Sequence, residues 1–291
     1  MKDSLPSNAL FKVGIIGENV PADEGVVSVN RLDISQWEAM RHRYDDTALS
    51  AAAKPFFAEY FFKNEDIKQV VYFDPTIQVF GDLGFINQQL QDNDVIITPR
   101  IVRPLGQTPY GDEKLYLNTG MYDSGFWAMK KTENSSKLLH WWQKRMTDRG
   151  YLDLCKGMNY DQLWFNYFPM MFEKVLIYKN IGCNVALHNL HERILTYQQG
   201  KWWVNTLEPL LFFNFRECIH PTPAVSEIVR VAGAGKLCSQ YMEKLKINST
   251  IIPPIFSLYR WANPPISAWR KQLKRFLESF IKKIDEFPLY H

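Results

Sequence analysis

Short uninterrupted apolar runs alternate along this chain with longer segments whose apolar residues recur every third or fourth position. The first texture marks buried strands, the second helices with one buried face. Phe11 to Ile16 reads as a strand and Val26 to Val29 as a second, short one. Asp33 predicts the cap of a helix through Tyr44, with Ile34, Trp37 and Met40 on one face. Ala48 to Phe62 is another helical pattern, which Pro55 should kink or restart because proline removes a backbone donor. Strands follow at Val70–Phe73, Asp94–Thr98 and Gly125–Met129. A helix capped by Asn134 or Ser135 carries Leu138, Leu139, Trp141, Trp142 and Met146. A short helix near Asn159–Tyr167 and strands at Lys174–Tyr178 and Leu210–Phe215 complete the alternation. It predicts an α/β domain whose mixed, mostly parallel sheet is flanked by helices.

The texture changes at Pro221, which sets the expected division between a domain over 1–221 and a helical C-terminal extension over 222–291. A helix through Met242 precedes a proline-rich hinge containing Pro253, Pro254, Pro264 and Pro265. The final helix, from about Ser267 to Ile284, places Trp269, Leu273, Phe276, Leu277, Phe280 and Ile281 on one face. Arg270, Lys271, Lys274, Arg275, Lys282 and Lys283 occupy the rest. Such a basic amphipathic helix either lies on an anionic membrane surface or packs onto its own domain.

Composition narrows the function classes. With 46% hydrophobic and 22% charged residues, the 291-residue chain buries a sizeable core and is not disordered. A net charge of +3 without a clustered patch gives no reason to expect nucleic-acid binding. Phe11–Ile16 is short and broken by Gly14, so it reads as neither signal peptide nor membrane span. Cys155, Cys183, Cys218 and Cys238 lack a C-x-x-C spacing and suggest free buried thiols in a reducing compartment, which points to the cytoplasm.

The most informative stretch is Val70-Val71-Tyr72-Phe73-Asp74-Pro75-Thr76-Ile77. Pro75 stops the strand, so Asp74 stands where the chain leaves the sheet. In open α/β sheets, ligands bind in the crevice outside the carboxyl ends of strands. A carboxylate there can hold a divalent cation against a phosphate, although a turn aspartate before proline explains the segment equally well. Two further polar clusters accompany it: Asn118-Thr119-Gly120 with Asp123-Ser124-Gly125 behind it, and Asp161-Gln162.

In order, the stretches AAAKPFFAEYFF, VVYFDPTIQVFGDL, LNTGMYDSGFWAMK, LLHWWQKRM, YDQLWFN, NIGCNVALHNLHER and LLFFNFRE resemble bacterial nucleotide-sugar glycosyltransferases of the GT-A fold, related to the glycogenin and lipopolysaccharide-galactosyltransferase families. The resemblance runs from Phe11 to Pro221. It implies a GT-A-like sheet and transfer of a sugar, with retained configuration, from a nucleotide-sugar to a hydroxyl of a glycan or lipid-linked acceptor. In those families a D-x-D pair ends the strand and holds Mn or Mg on the diphosphate. Carried over, Asp74 is the first aspartate and the metal ligand, and Lys54 contacts the phosphates. Asn118 and Gly120 form the sugar-site turn. Asp161 is the carboxylate facing the reacting centre, with Gln162 and Asp123 as its catalytic companions. Asn184, Asn189 and Arg193 belong to the block that closes the site. A lipid-linked acceptor would place the chain at the inner face of the membrane.

The departures are equally specific. Thr76 stands where the second aspartate belongs, and Asn214 where a late histidine belongs. Both are weak ligands for a hard cation. Either the metal is weakly bound or absent and cations such as Lys54, Arg216 or His220 neutralise the diphosphate, or the protein is a silent nucleotide- or glycan-binding relative of the fold. Only ten residues precede Phe11, so the nucleoside pocket is expected to be incomplete. A second alternative is a metal-dependent hydrolase built on Asp74, His188 and His191. Trp141-Trp142 and Trp202-Trp203 are candidates for a sugar subsite, or else divide between core and surface.

Overall fold

The computed structural model describes residues 9–17, 20, 23–64, 66–104, 113–219 and 233–251, together with 269, 272, 273, 276, 277 and 279. His220, the expected boundary at 221 and the basic residues of the final helix lie outside the described residues.

Strands β1 (Val13–Ile15) and β2 (Val26–Ser28) pair in parallel. Helix α1 (Trp37–Arg43) starts later than Asp33 would have it, after a turn in which the Trp37 amide donates to the Ile34 carbonyl. Helix α2 (Asp46–Asn64) runs unbroken through Pro55. Its run Ala51-Ala52-Ala53 is buried, and since consecutive residues point in different directions, the helix is packed over much of its girth there.

The chain then runs through β3 (Gln69–Phe73), β4 (Ile77–Val79), α3 (Gly84–Asp92), β5 (Val95–Pro99), α4 (Lys114–Thr119), β6 (Tyr122–Lys130) and α5 (Glu133–Arg149). Thr132 caps α5, accepting from the Ser135 amide, while Ser135 Oγ in turn accepts from the Thr132 amide. The small hairpin β7 (Leu152–Asp153) and β8 (Met158–Asn159) leads into a 3₁₀ turn over Gln162–Tyr167, then α6 (Phe168–Met171) and β9 (Val175–Ile177).

The largest sheet has the order β3-β6-β5-β9. Strand β6 runs antiparallel to both β3 and β5, whereas β5 and β9 are parallel. The expectation of a mostly parallel sheet is therefore corrected. β3, β5 and β9 do point one way, but β6 sits between β3 and β5 in the opposite direction, so two of the three pairings are antiparallel. The reason is connectivity: the segment through α4 returns the chain into the slot beside β5 rather than crossing over the sheet. Helices cover both faces of β6, and Asp123 to Met129 are all buried. On one side Trp127 and Met129 pack with Trp142, Phe165 and Phe168. On the other, Phe126 and Ala128 pack with Ile86, Leu90 and Phe212.

Strands β10 (Val185–Ala186), β11 (Leu195–Gln198), β12 (Lys201–Val204), β13 (Glu208–Pro209) and β14 (Phe212–Asn214) follow. β14 pairs with β10 and with β4, putting Asn214 opposite Ile77. The hairpin β11–β12 was missed by the sequence reading. Its turn residues Gln199 and Gly200 both have positive φ (50° and 79°), the geometry that matches strand twist in a tight hairpin.

The chain divides into compact units Met1–Leu258 and Tyr259–His291. After α7 (Arg216–Ile219), helix α8 (Gly235–Ile251) belongs to the first unit and buries Leu237 and Tyr241 beside Phe215. In the second unit, Trp269, Leu273, Phe276 and Leu277 are exposed helical residues. No helix among the described residues is long and apolar enough to cross a membrane.

Candidate functional site

A strand's period of two sets the first contact of the site. Tyr72 and Asp74 fall on one face at the end of β3, and the Tyr72 hydroxyl donates to Asp74 Oδ1 at 2.6 Å. Lys54, from the middle of α2, reaches the same carboxylate at 3.5 Å and lies 4.9 Å from the centre of the Tyr72 ring. Its closer partner is Asp161 Oδ2 at 2.8 Å. The ammonium also donates to the Ser124 carbonyl at 3.1 Å, while Ser124 Oγ donates to Asp161 Oδ1 at 3.0 Å.

Four elements therefore meet on one lysine that is only 8% exposed. Burial opposes its charge, but the Asp161 carboxylate, and after it Asp74, outweigh that and hold the ammonium well above its ordinary range. Burial likewise pushes the Asp161 carboxyl up, against the pull of Lys54. Burial pushes the Tyr72 hydroxyl up as well, so it stays a donor to Asp74.

The second half of the site surrounds Gly125. The β5–β6 register jumps between the pairs Ile97–Trp127 and Thr98–Asp123, so the Ser124–Phe126 stretch bulges away from β5. Bulges re-aim side chains next to sites, and this one turns Asp123 back onto its own strand, accepting from the Gly125 amide at 2.7 Å. The Asp74 amide donates to the Gly125 carbonyl at 2.8 Å, which fixes β3 against the bulge. A Cβ placed on Gly125 would lie 2.9 Å from Asp123 Oδ1, 3.0 Å from Asp74 Oδ2 and 3.3 Å from Asn214 Nδ2. Two carboxylates and an amide thus converge on the one residue type without a side chain to push them apart.

Thr76 and Asn214 are joined, the threonine hydroxyl donating to Asn214 Oδ1 at 2.9 Å, and that oxygen also accepts from the Arg216 amide at 3.1 Å. The Arg216 side chain is exposed at the rim, and its charge is felt at the Tyr160 hydroxyl. Tyr160 itself has φ 48°, a left-handed conformation that costs a non-glycine residue roughly 1–3 kcal/mol and delivers Asp161 into the interior.

Lys54, Asp74, Thr76, Asp123, Asp161 and Asn214 are thereby brought together. The other candidates are not in this cluster, and each has a physical reason. Asn118 lies on α4 with its side chain exposed, not in a turn. Gln162 is scaffold: its Nε2 donates to the Thr119 carbonyl at 3.2 Å. The Gly120 backbone, at φ 107°, presses so close that a Cβ there would sit 2.8 Å from Gln162 Cγ. Asn189 is fully buried and spends its amide on the Arg100 and Asn184 carbonyls and its oxygen on the Ala186 amide. Arg193, 1% exposed, donates to the Cys183 and Asn184 carbonyls. Both hold the 183–193 loop from inside rather than closing over a ligand. Asn184 sits at φ 53°, buried, and its amide atoms have no hydrogen-bond partner among the described residues.

Asp161 is itself corrected in one respect. It is 3% exposed and its two carboxylate oxygens face Lys54 and Ser124. The two histidines do not join Asp74: His188 Nδ1 lies 3.3 Å from Glu217 Oε1, and no cluster of three metal-ligating side chains from His, Cys, Asp or Glu occurs among the described residues. Trp142 is fully buried core, and Trp141 packs edge-on against Trp164 and Phe168. Trp202 packs against Tyr197 across the β11–β12 hairpin. Ser124 was noted in a polar cluster without a role, and Tyr72 was read as strand alone. For Tyr72 the signal was available, since a residue two before a strand-end aspartate shares its face.

No protein-family model matches this chain. A Bacillus subtilis (strain 168) protein, the uncharacterized protein YfnF, is 23% identical to it over 178 residues. The match covers 60% of this chain and 58% of that protein, so the chain spans less than two thirds of that relative's length.

Proposed function

We propose that the chain binds a nucleoside-diphosphate sugar at the end of β3 and transfers the sugar to a hydroxyl of a glycan or lipid-linked acceptor, on a GT-A-like arrangement. The observation that carries this reading is the shared ground of Asp74, Asp123 and Asn214 around Gly125, backed by the Lys54 ammonium.

The chemistry asked of the protein is electrostatic: stabilise charge developing on a leaving diphosphate while the sugar is held against its acceptor. Asp74 and Asp161 face one lysine and Asp123 stands beside Asp74 across Gly125, which leaves the site short of positive charge for a diphosphate. A magnesium-sized cation is typically held by one or two carboxylates together with substrate phosphates rather than by a full protein cage. Asp74 and Asp123 fit that pattern, with Asp123 taking the place that Thr76 leaves vacant, and the bound cation would neutralise the diphosphate. Lys54 fixes the Asp74 carboxylate, Asp161 and Ser124 fix Lys54, and Arg216 at the rim supplies a further positive charge. Retention of configuration follows the resemblance alone.

The reading places the chain in the cytoplasm, with the apolar residues Trp269, Leu273, Phe276 and Leu277 against the inner membrane face. Liposome sedimentation of the full chain against a truncation after Asn263 tests that part. The activity is tested by donor hydrolysis and transfer with a panel of nucleoside-diphosphate sugars, manganese present. Turnover that falls roughly 10²-fold in Asp161→Asn, with folding intact, supports the reading. Absence of turnover with donor still bound favours a silent binding protein, for which the Thr76–Asn214 pair is the supporting observation.

A further inference from the structure

Away from the cleft, two sulfurs face each other: Cys218 Sγ and Cys238 Sγ are 2.7 Å apart. The other two thiols take no part, Cys183 being buried elsewhere and Cys155 being exposed, which departs from the expectation of buried thiols. Packing imposes the approach. Cys218 lies on α7, two residues beyond the Arg216 amide that Asn214 holds, and its own amide donates to the Phe215 carbonyl. Cys238 lies in the first turn of α8, its amide donating to the Ala234 carbonyl. Leu237 is buried, and the Tyr241 ring stacks on Phe215 at 3.9 Å between centres and 5° between planes. Both cysteines are thus carried by segments already clamped to the same core, and the sulfurs can join with little movement of either helix.

We propose that Cys218 and Cys238 form an oxidation-sensitive dithiol that closes to a disulfide when a peroxide is present, fastening α8 to the segment that follows Asn214. The Cys238 thiolate attacks one peroxide oxygen, the O–O bond breaks, and the departing hydroxide takes up a proton as water. This leaves a sulfenic acid on Cys238. The Cys218 sulfur then attacks the Cys238 sulfur, the S–O bond breaks, and the Cys218 proton leaves with the hydroxyl as a second water. Two thiols and one hydrogen peroxide thereby give one disulfide and two waters. The order of attack follows from access: Cys238 is the less buried of the two thiols, so peroxide meets it first, while Cys218 waits buried behind it. The bond closes a loop between positions 20 apart in sequence, which restricts the unfolded chain.

The test uses the full chain, reduced and then treated with hydrogen peroxide, with thiols counted under denaturing conditions. Two of the four thiols should disappear, and non-reducing peptide mapping should recover a Cys218–Cys238 linkage. The closed form should melt about 5 °C or more above the reduced form. In Cys218→Ser the reaction should stop at Cys238, trapped there by a sulfenic-acid reagent. Four thiols remaining after treatment, a linkage that uses Cys155 or Cys183, or a melting temperature that does not rise would each overturn the proposal. The wild-type count and map stand even if a variant fails to fold.

Discussion

The Lys54 ammonium lies 2.8 Å from an Asp161 carboxylate oxygen, joining the middle of α2 to the turn that opens the 3₁₀ segment over Gln162–Tyr167. The two residues are 107 positions apart, from 54 to 161, and Asp74 and Ser124 meet the same lysine. This contact holds α2, β3 and β6 in one arrangement at the mouth of the sheet. Whatever else the cleft does, its shape depends on one buried cation.

Lys54→Met should therefore destabilise the fold strongly. Removing one partner of a buried ion pair leaves an uncompensated charge and costs about 3–5 kcal/mol. Urea unfolding measures it. A loss below about 1 kcal/mol would show that the carboxylates find other partners and that Lys54 is not the keystone of the site.

On the proposed reading, the Thr76–Asn214 pair adds little to metal affinity. Both are neutral, and the Asn214 oxygen is already engaged by the Thr76 hydroxyl and the Arg216 amide. Manganese alone should bind weakly, and more tightly once a nucleoside diphosphate supplies phosphate oxygens, since coupling between two ligands is reciprocal. Thr76→Asp with Asn214→His should tighten binding of the metal alone. Calorimetry that finds tight stoichiometric manganese on the unmodified protein, without nucleotide, would contradict this.

Glu217 gives a pH signature away from the cleft. Burial pushes its carboxyl up, but the His188 ring, with its charge and hydrogen bond, and then Arg100 outweigh that and leave it below its ordinary value of 4.5. A carboxyl depressed in the folded state contributes stability that is present above the unfolded value and is lost as pH falls through the folded one. The gap in melting temperature between wild type and Glu217→Gln should be open near neutral pH and close as the pH drops below 4.5. A gap independent of pH would mean that packing, not charge, sets the contribution of Glu217.

The periodic parts of the fold were legible in the sequence. Val95–Thr98 and Phe126–Met129 announce their strands because both sheet faces are covered there and nearly every residue is apolar, whereas Val70–Phe73, at the sheet edge with Val71 exposed, is legible from its β-branched and aromatic residues. The direction of β6 was not legible, because it depends on how the α4 return docks and not on any local preference. In the cleft, Asp74, Lys54, Asp161 and Asn214 were readable as residues, and Asp123 was noted without its partner. What joins Asp123 to Asp74 is the bulge at Ser124–Phe126, a register effect that leaves no periodic trace. Asn189 and Arg193 misled in the other direction. Amide and guanidinium groups that satisfy backbone carbonyls inside a loop look, in a sequence, like groups awaiting a ligand.

The proposed function requires that the ground shared by Asp74 and Asp123 receive a diphosphate. The direct measurement is calorimetric titration of the full chain with nucleoside-diphosphate sugars, with and without manganese, on wild type, Asp74→Asn and Asp123→Asn. The account predicts that at least one donor binds, that manganese strengthens its binding, and that each variant weakens it by about tenfold or more, roughly 1.4 kcal/mol. No binding of any donor with manganese present, or binding that both variants leave unchanged, would contradict it.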